Sequence, residues 1–165
     1  MCAGLREMFA PADYVLRPLT PQDEAILWNM LYQAISPEGG AAPPPEIVRQ
    51  PEYARFVEGW GRPGDGGFVG HDKAEGTLLG AVWLRALLES EPPEAPPELA
   101  FVVRPGHRQR GIGASLLTQF IRANPSLVAI ALRVGAHSPA VRLFERFGFE
   151  IASQSDKNVV MRRQA

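Results

Sequence analysis

Residues 98–124 constrain the fold more than any other part of the 165-residue chain. An apolar run that ends at Val103 is followed by proline and glycine, which predicts a strand that stops there, because proline lacks an N–H donor. Further on, the apolar residues have the spacing of one helix face, and they are Ile112, Leu116, Leu117, Phe120 and Ile121. The segment therefore predicts a buried strand, a glycine-bearing turn and an amphipathic helix that ends near Asn124.

The turn between this strand and this helix predicts an anion-binding site. It contains Arg108, Arg110, Gly111 and Gly113. Glycines allow a close approach of the backbone to a ligand, and the first N–H groups of a helix lack intrahelical partners. The helix dipole and the two guanidinium groups would add to the attraction for a phosphate or pyrophosphate.

Two common phosphate motifs do not fit this turn. A P-loop needs Gly-Lys-Ser/Thr, whereas Gly113 is followed by Ala114 and Ser115. A dinucleotide fingerprint needs a third glycine where the chain has Leu116, and an acidic residue about 20 positions further on, where it has Arg133. Both readings are therefore excluded.

A second motif follows at residues 137–149. Ser138 and Pro139 predict a helix start, and Gly148 followed by Phe149 predicts its end in a Schellman-like cap. This segment resembles Asn-x-x-Ala-x-x-Leu-Tyr-x-x-x-Gly-Phe, a hallmark of the GCN5-related N-acetyltransferase (GNAT) family. The earlier turn resembles the other hallmark of that family, Gln/Arg-x-x-Gly-x-Gly/Ala.

The resemblance implies that acetyl-CoA is the co-substrate. It places the pantetheine arm along the strand, at Phe101, Val102 and Val103. It places the phosphates at the turn, on Arg108, Gln109, Arg110, Gly111, Ile112, Gly113, Ala114 and Ser115. His137 and Phe144 of the second motif complete the expected cofactor site.

The second motif departs from the family pattern at two positions. His137 stands where the family has asparagine, and Phe144 stands where it has a tyrosine that often reprotonates the CoA thiolate. A phenyl ring cannot donate a proton. His137 and Ser138 are the nearest candidates for a catalytic role, although both could serve only in helix capping and loop hydrogen bonds.

Glu98, at the entrance of the strand, is the expected general base. Members of the family often use a carboxylate there, sometimes through a water molecule. Strand alternation places Glu98 on the face of Ala100 and Val102. The alternative interpretation is a solvated carboxylate at a strand end, in which case Glu94 is the substitute.

The remaining sequence predicts an α/β fold with a mixed sheet of six to seven strands and about four helices, in one domain spanning 1–165 with a loose segment at 1–13. Thr20 and Asp23 predict a capping box. Trp28 and Tyr32 either pack under the following loop or line an acceptor pocket. The Pro- and Gly-rich segment 36–50 is expected to hold no regular element.

Composition narrows the function class. The only cysteine is Cys2, and no apolar run is long enough to span a membrane. No metal-ligand spacing and no basic patch interleaved with aromatic residues is present, so we expect neither a metal nor a nucleic-acid partner, and we expect a cytoplasmic protein. The first 100 residues hold 7 basic and 15 acidic side chains and the remainder 10 and 3, which favours an anionic cofactor on the second part.

The sequence therefore predicts an acetyl-CoA-dependent N-acetyltransferase that acts on the primary amine of a small cationic molecule. A peptide or protein amine is the second choice of acceptor. A non-catalytic acyl-CoA-binding or regulatory domain and a homo-oligomeric scaffold with a vestigial pocket remain as alternatives. A homodimer is compatible with each of them.

Overall fold

The computed structural model describes residues 13–35, 41–85, 96–104, 111–127 and 129–164. These ranges contain seven strands: β1 Tyr14–Pro18, β2 Gly66–Asp72, β3 Leu78–Leu84, β4 Leu99–Val103, β5 Ala129–Gly135, β6 Glu150–Gln154 and β7 Asn158–Gln164. They also contain four α-helices: α1 Glu24–Ile35, α2 Pro51–Ala54, α3 Ile112–Ala123 and α4 Ala140–Arg146. The predicted α/β fold and its order of elements are confirmed.

The sheet consists of two parts that meet at one point. Strands β1, β2, β3 and β4 lie side by side in that order, and β5, β7 and β6 form the second part, with antiparallel pairing throughout each part. A parallel bridge between Glu98 and Ala131 joins them, and the Ala131 N–H donates to the Pro97 carbonyl at 2.9 Å. Beyond this bridge, β4 and β5 are the facing edges of the two parts.

Helices cover both faces of the first part of the sheet. Val82 and Leu84 of β3 belong to an apolar cluster with α3 and α4, whereas Ala81 and Trp83 belong to a cluster with α1 and the 47–60 segment. This division follows from the alternation of side chains along a strand. In α3, four of the five residues that the sequence pattern placed on one face are buried, namely Ile112, Leu116, Leu117 and Phe120, whereas Ile121 is only partly buried.

The entry to α1 is fixed by a charged cluster. The Asp23 carboxylate accepts from the Thr20 N–H at 2.7 Å and from both Nη atoms of Arg17 at 2.9 Å. This two-point contact holds the pKa of Asp23 at about 2, against an ordinary value of 3.8. The predicted capping box at this position is confirmed.

Three details of the sequence-based prediction are wrong. Segment 36–50 contains a 3₁₀ helix at Pro45–Arg49, because proline in its first turn costs no hydrogen bond. The helical spacing of Tyr53, Phe56, Val57 and Trp60 predicts a second helix that runs up to Gly61, whereas α2 ends at Ala54 and the chain continues in turns up to Gly59 at φ 73°. The continuous apolar run at 127–132 predicts a buried strand that ends at Leu132, whereas β5 extends to Gly135, because β7 pairs with it over that whole length.

Trp28 and Tyr32 pack under the following loop, the first of the two alternatives. The Tyr32 hydroxyl donates to the Pro43 carbonyl at 2.6 Å, and the Arg49 guanidinium lies 3.9 Å from the Trp28 ring centroid. Within the described ranges, no helix combines the length and apolar character that crossing a membrane requires.

Candidate functional site

The gap between β4 and β5 exposes one edge of β4. The Arg104 N–H donates to Leu79 of β3, and the Pro97 carbonyl accepts from Ala131 of β5. Because successive peptide groups of a strand point in opposite directions, the N–H and C=O of Phe101 point towards β5. Past the Glu98 bridge no ladder with β5 continues among the described residues, so this edge faces the gap.

The side chains of β4 alternate between the two faces as the sequence predicted. Phe101 packs with the α3 and α4 cluster, and Ala100 and Val102 pack with the α1 cluster. Val103 lies beside the start of α3, near Gly113. The strand therefore presents Phe101 and Val103 to the glycine-bearing turn and its other face to α1.

A cavity of about 460 Å³ lies in the gap. It is bounded by α1, β4, β5, the start of α3 and α4. Its lining residues are Gln33, Ala34, Phe101, Val102, Val103, Ile112, Gly113, Ala114, Arg133, Val134, Gly135, Ser138, Pro139, Ala140, Leu143 and Arg146. Six of the residues predicted to bind the cofactor are thus brought together at one cavity: Phe101, Val102, Val103, Ile112, Gly113 and Ala114.

The two glycines at the start of α3 have different physical roles. Gly111 has φ 79°, the left-handed conformation that glycine adopts without strain. A Cβ at Gly113 would lie 3.0 Å from Phe101 Cζ and 3.1 Å from Leu143 Cδ2. Packing between the helix, β4 and α4 therefore favours glycine at position 113, in addition to any approach of a ligand.

The first turn of α3 leaves three N–H groups without intrahelical acceptors, those of residues 112–114. Ser115 differs from them, since its N–H donates to the Gly111 carbonyl at 3.0 Å and its Oγ lies 2.6 Å from the Tyr14 hydroxyl. Ser115 does not line the cavity. The N–H groups of Ile112, Gly113 and Ala114 are thus free of intrahelical acceptors and can bind an anion. Ser115 instead connects the helix start to Tyr14.

Two cations line the same cavity and were missed by the sequence reasoning. Arg133 lies on β5 and Arg146 near the end of α4. Arg146 follows Leu143 by three positions, so helical periodicity places both on one face, and that spacing could have identified it. Arg133 gave no comparable signal, since β5 was expected to end at Leu132.

The second motif contributes unequally to the cavity. Ser138 lines it, and its Oγ accepts the Ala140 N–H at 3.2 Å, whereas His137 is exposed and does not line it. Phe144 is fully buried, with its ring edge-on to Phe101 at 5.0 Å between centroids. Phe144 therefore supports the Phe101 wall from behind rather than facing the cavity.

Glu98 lies at the closed end of the gap, outside the cavity lining. Its Oε2 accepts from Arg55 Nη2 at 2.8 Å. Phe101 follows three residues later, about 10 Å along the strand. Glu98 therefore faces a cation that the sequence reasoning did not anticipate.

Some of the predicted site residues are not placed. Arg108, Gln109, Arg110 and Glu94 lie outside the described residues. In the ranges that are described, no three His, Cys, Asp or Glu side chains are grouped so that they could hold a metal ion.

Solved structures of acetyltransferases share this fold. A GCN5-related N-acetyltransferase from Kribbella flavida is 19% identical over 94% of this chain and all of its own, with a TM-score of 0.64. An N-acetyltransferase from Thermoplasma acidophilum, in complex with coenzyme A, is 16% identical over 92% of this chain and 99% of its own, with a TM-score of 0.60.

A chimera of the spermidine N-acetyltransferase SpeG from Vibrio cholerae and hSSAT is also similar. It is 19% identical over 92% of this chain and 95% of its own, with a TM-score of 0.60. The sequence matches none of the curated proteins with which it was compared.

A family profile decides the assignment. The profile of the acetyltransferase (GNAT) family matches residues 28–149, which include the gap, the glycine-bearing turn and the second motif. This match covers well over half of the sequence and agrees with the fold. The chain belongs to the acetyltransferase (GNAT) family of N-acetyltransferase enzymes.

Proposed function

We propose that the protein transfers the acetyl group of acetyl-CoA to the primary amine of a small cationic molecule by direct attack. The observation that carries the proposal is the cavity between β4 and β5, which combines an exposed strand edge, the start of α3 and two arginines. Acetyl-CoA has a polar extended arm and an anionic end, and the cavity supplies groups complementary to both.

The anionic end is assigned to the start of α3. The N–H groups of Ile112, Gly113 and Ala114 and the positive end of the helix dipole favour phosphate there. Arg133 and Arg146 add two positive charges along the same cavity. Arg108, Gln109 and Arg110 stay part of the proposed phosphate site on the strength of the motif.

The pantetheine arm is assigned to the exposed edge of β4. Phe101, Val102 and Val103 line the cavity, and the Phe101 amide group points to the gap. An amide-containing arm can bond such an edge as an added strand would. The same backbone N–H groups are candidates to stabilise the oxyanion that forms when the amine attacks the thioester carbonyl.

Proton transfers on the two sides of the reaction need two groups. The ammonium of the acceptor must lose a proton before its nitrogen can attack, and we assign this to Glu98, directly or through a water molecule. As the C–S bond breaks, the thiolate takes up a proton. The nitrogen gives up its second proton to solvent as the amide forms. Ser138 lines the cavity, so its hydroxyl is favoured over the exposed His137 for passing a proton from solvent to the sulfur, and the hydroxyl regains a proton as it donates one.

A cationic acceptor is favoured by charge. Glu98 places a carboxylate at the end of β4 away from the start of α3, and the first 100 residues carry an excess of acidic side chains. Among proteins with this fold is a spermidine N-acetyltransferase chimera, whose acceptor is a polyamine. This likeness supports a cationic acceptor.

Release of the CoA thiol tests the function directly. The protein is incubated with acetyl-CoA and one amine at a time. The amines are spermidine, an aminoglycoside, lysine, glutamate and a lysine-containing peptide. Thiol release above the amine-free rate with spermidine or the aminoglycoside, and not with glutamate, is the expected result.

Other outcomes assign the other functions. Release with the peptide alone would identify a peptide or protein acetyltransferase. No release with any acceptor, while acetyl-CoA still raises the melting temperature, would favour the non-catalytic binding domain. If acetyl-CoA neither reacts nor stabilises the protein, the assigned co-substrate site is wrong.

A further inference from the structure

The ion pair between Glu98 and Arg55 has an unequal exposure. Arg55 Nη2 lies 2.8 Å from Glu98 Oε2, and the arginine side chain is 46% exposed against 23% for the glutamate. The carboxylate is therefore largely covered by protein and by the guanidinium, whereas the guanidinium itself borders on solvent. A cation that approaches Glu98 from solvent meets Arg55 first.

Apart from Glu98, the Arg55 side chain contacts its own segment next to α2. Its Nε donates to the Glu52 carbonyl at 3.2 Å, and its Cζ lies 4.2 Å from the centre of the Phe56 ring. The Arg55 carbonyl in turn accepts from Arg85 Nη1 at 3.3 Å. The guanidinium is thus brought to Glu98 by a separate segment and can leave it without moving the strand.

The ion pair between Arg55 and Glu98 has fewer hydrogen bonds and a more exposed carboxylate than the ion pair between Arg17 and Asp23. Arg17 binds Asp23 through two parallel hydrogen bonds of 2.9 Å, and the carboxylate side chain is 9% exposed. Arg55 donates one hydrogen bond to Glu98 and uses its Nε elsewhere. Single, solvent-bordering pairs contribute little, whereas two-point pairs with a buried partner resist exchange.

We propose that Arg55 is a built-in competitor of the acceptor, in that its guanidinium occupies the position beside Glu98 that the ammonium group of the acceptor takes on binding. The proposal rests on the function proposed above and narrows its acceptor. When Arg55 is displaced, Glu98 loses its positively charged partner. Only an amine that binds as a cation replaces that positive charge. Arg55 is therefore a residue that determines specificity, by excluding neutral and anionic molecules from the carboxylate.

Binding of spermidine to the CoA-saturated protein tests the competition without requiring turnover. Calorimetric titrations compare wild type, Arg55→Gln, Glu98→Gln and the double variant. Arg55→Gln should bind spermidine about twofold to fivefold more tightly than wild type, the range that an exposed ion pair supplies. In the double variant the gain should vanish, because Arg55 acts through Glu98.

Two further variants separate competition from general electrostatics. Arg49→Gln removes the same charge from the 3₁₀ helix that precedes α2, but Arg49 stacks on Trp28. It should change spermidine affinity less than Arg55→Gln does. Arg55→Lys retains a cation and should bind spermidine as wild type does.

The proposal is overturned by unchanged or weaker binding in Arg55→Gln, by an equal gain in Arg49→Gln, or by a gain that persists without Glu98. Absence of spermidine binding in every variant also overturns it. Titration of acetyl-CoA and thiol release with the other amines report separately on the proposed acetyltransferase function. Failure of the competition is thereby distinguished from failure of the enzyme assignment.

Discussion

The Tyr14 hydroxyl lies 2.6 Å from Ser115 Oγ, so the first strand is joined to the first turn of α3 across 101 positions of sequence. The same hydroxyl lies 3.5 Å from the Gly111 carbonyl. β1 thus restrains the turn at the N-cap and at the fourth residue of the helix. Tyr14 is in contact with the element proposed to hold the phosphates while lying outside the cavity itself.

Tyr14→Phe is expected to weaken acetyl-CoA binding severalfold and to lower the free energy of unfolding by about 1 kcal/mol, because the short hydrogen bond to Ser115 and the longer one to Gly111 are lost. Calorimetric titration with acetyl-CoA and urea denaturation measure the two effects. Tyr32→Phe is the matched control, since its hydroxyl bonds Pro43 instead. It should show a similar stability loss with unchanged acetyl-CoA affinity, and equal affinities in both variants would contradict a role of Tyr14 in the turn.

Gly113→Ala should damage the cofactor site more than Gly111→Ala. A Cβ at Gly113 pushes Phe101 and Leu143, which both line the cavity, at an expected cost of about 1–3 kcal/mol. At Gly111 a Cβ meets no atom within 4 Å in the described structure, so the cost is the positive φ alone, about 1–2 kcal/mol. Urea denaturation should therefore give comparable losses, whereas acetyl-CoA titration should separate the two variants. Equal affinities would contradict the packing role of Gly113.

Asp23 makes stability depend on pH in the acid range. Its pKa is lowered from 3.8 to about 2, chiefly by the hydrogen bonds from Arg17, so the folded state favours the carboxylate. The resulting stabilisation, on the order of 2 kcal/mol, is present above pH 4 and is lost as the pH falls towards 2. Asp23→Asn should lower stability at pH 7 and flatten this part of the profile measured by urea denaturation.

The neighbouring carboxylate provides the control for that profile. Glu24 has no ion pair within the described part of the chain. Glu24→Gln should therefore leave the acid limb of the stability profile as it is in wild type. A profile in Asp23→Asn that still falls as steeply between pH 4 and 2 would place the responsible group elsewhere.

Glu98→Gln is expected to lower turnover by about 10²-fold or more and to change its pH dependence, because a general base is removed. Acetyl-CoA affinity should be nearly unchanged, since Glu98 does not line the cavity. Steady-state kinetics over pH and acetyl-CoA titration test both statements. Glu58→Gln is the control, an exposed carboxylate beyond α2, and should behave as wild type. An unaltered rate and profile in Glu98→Gln would move the base to another residue.

Local patterns were sufficient for the order of elements and for the start of α3. The spacing of Leu116, Leu117 and Phe120 predicted their burial, and the glycine after Phe147 predicted the end of α4. These features depend on neighbours within a few residues. They could therefore be read without knowledge of the tertiary structure.

Contacts between distant segments could not be read in this way. Arg55 meets Glu98 across 43 positions, and Tyr14 meets Ser115 across 101. Neither pair has a local spacing that marks it, because each depends on how α2 and β1 are placed against the sheet. Gly113 was assigned to ligand approach, which stays a prediction. The closeness of Leu143 to this position could not be read from the sequence, since it depends on the tertiary fold.

Arg133 and Arg146 should each contribute to acetyl-CoA binding, because both line the cavity beside the start of α3. Replacing either with glutamine should reduce the affinity about tenfold, which corresponds to one charge-assisted hydrogen bond of about 1.4 kcal/mol. Arg142→Gln is the matched control, an exposed arginine of α4 that does not line the cavity, and should reduce it much less.

The salt dependence of binding completes this test. Added salt screens the attraction between an arginine and an anion, so wild-type affinity should fall as ionic strength rises. Arg133→Gln and Arg146→Gln should each show a shallower fall than wild type, because each has lost one of the screened contacts. If both variants bind acetyl-CoA as Arg142→Gln does, with the same salt dependence, the two arginines serve another ligand and the phosphates depend on the glycine-bearing turn alone.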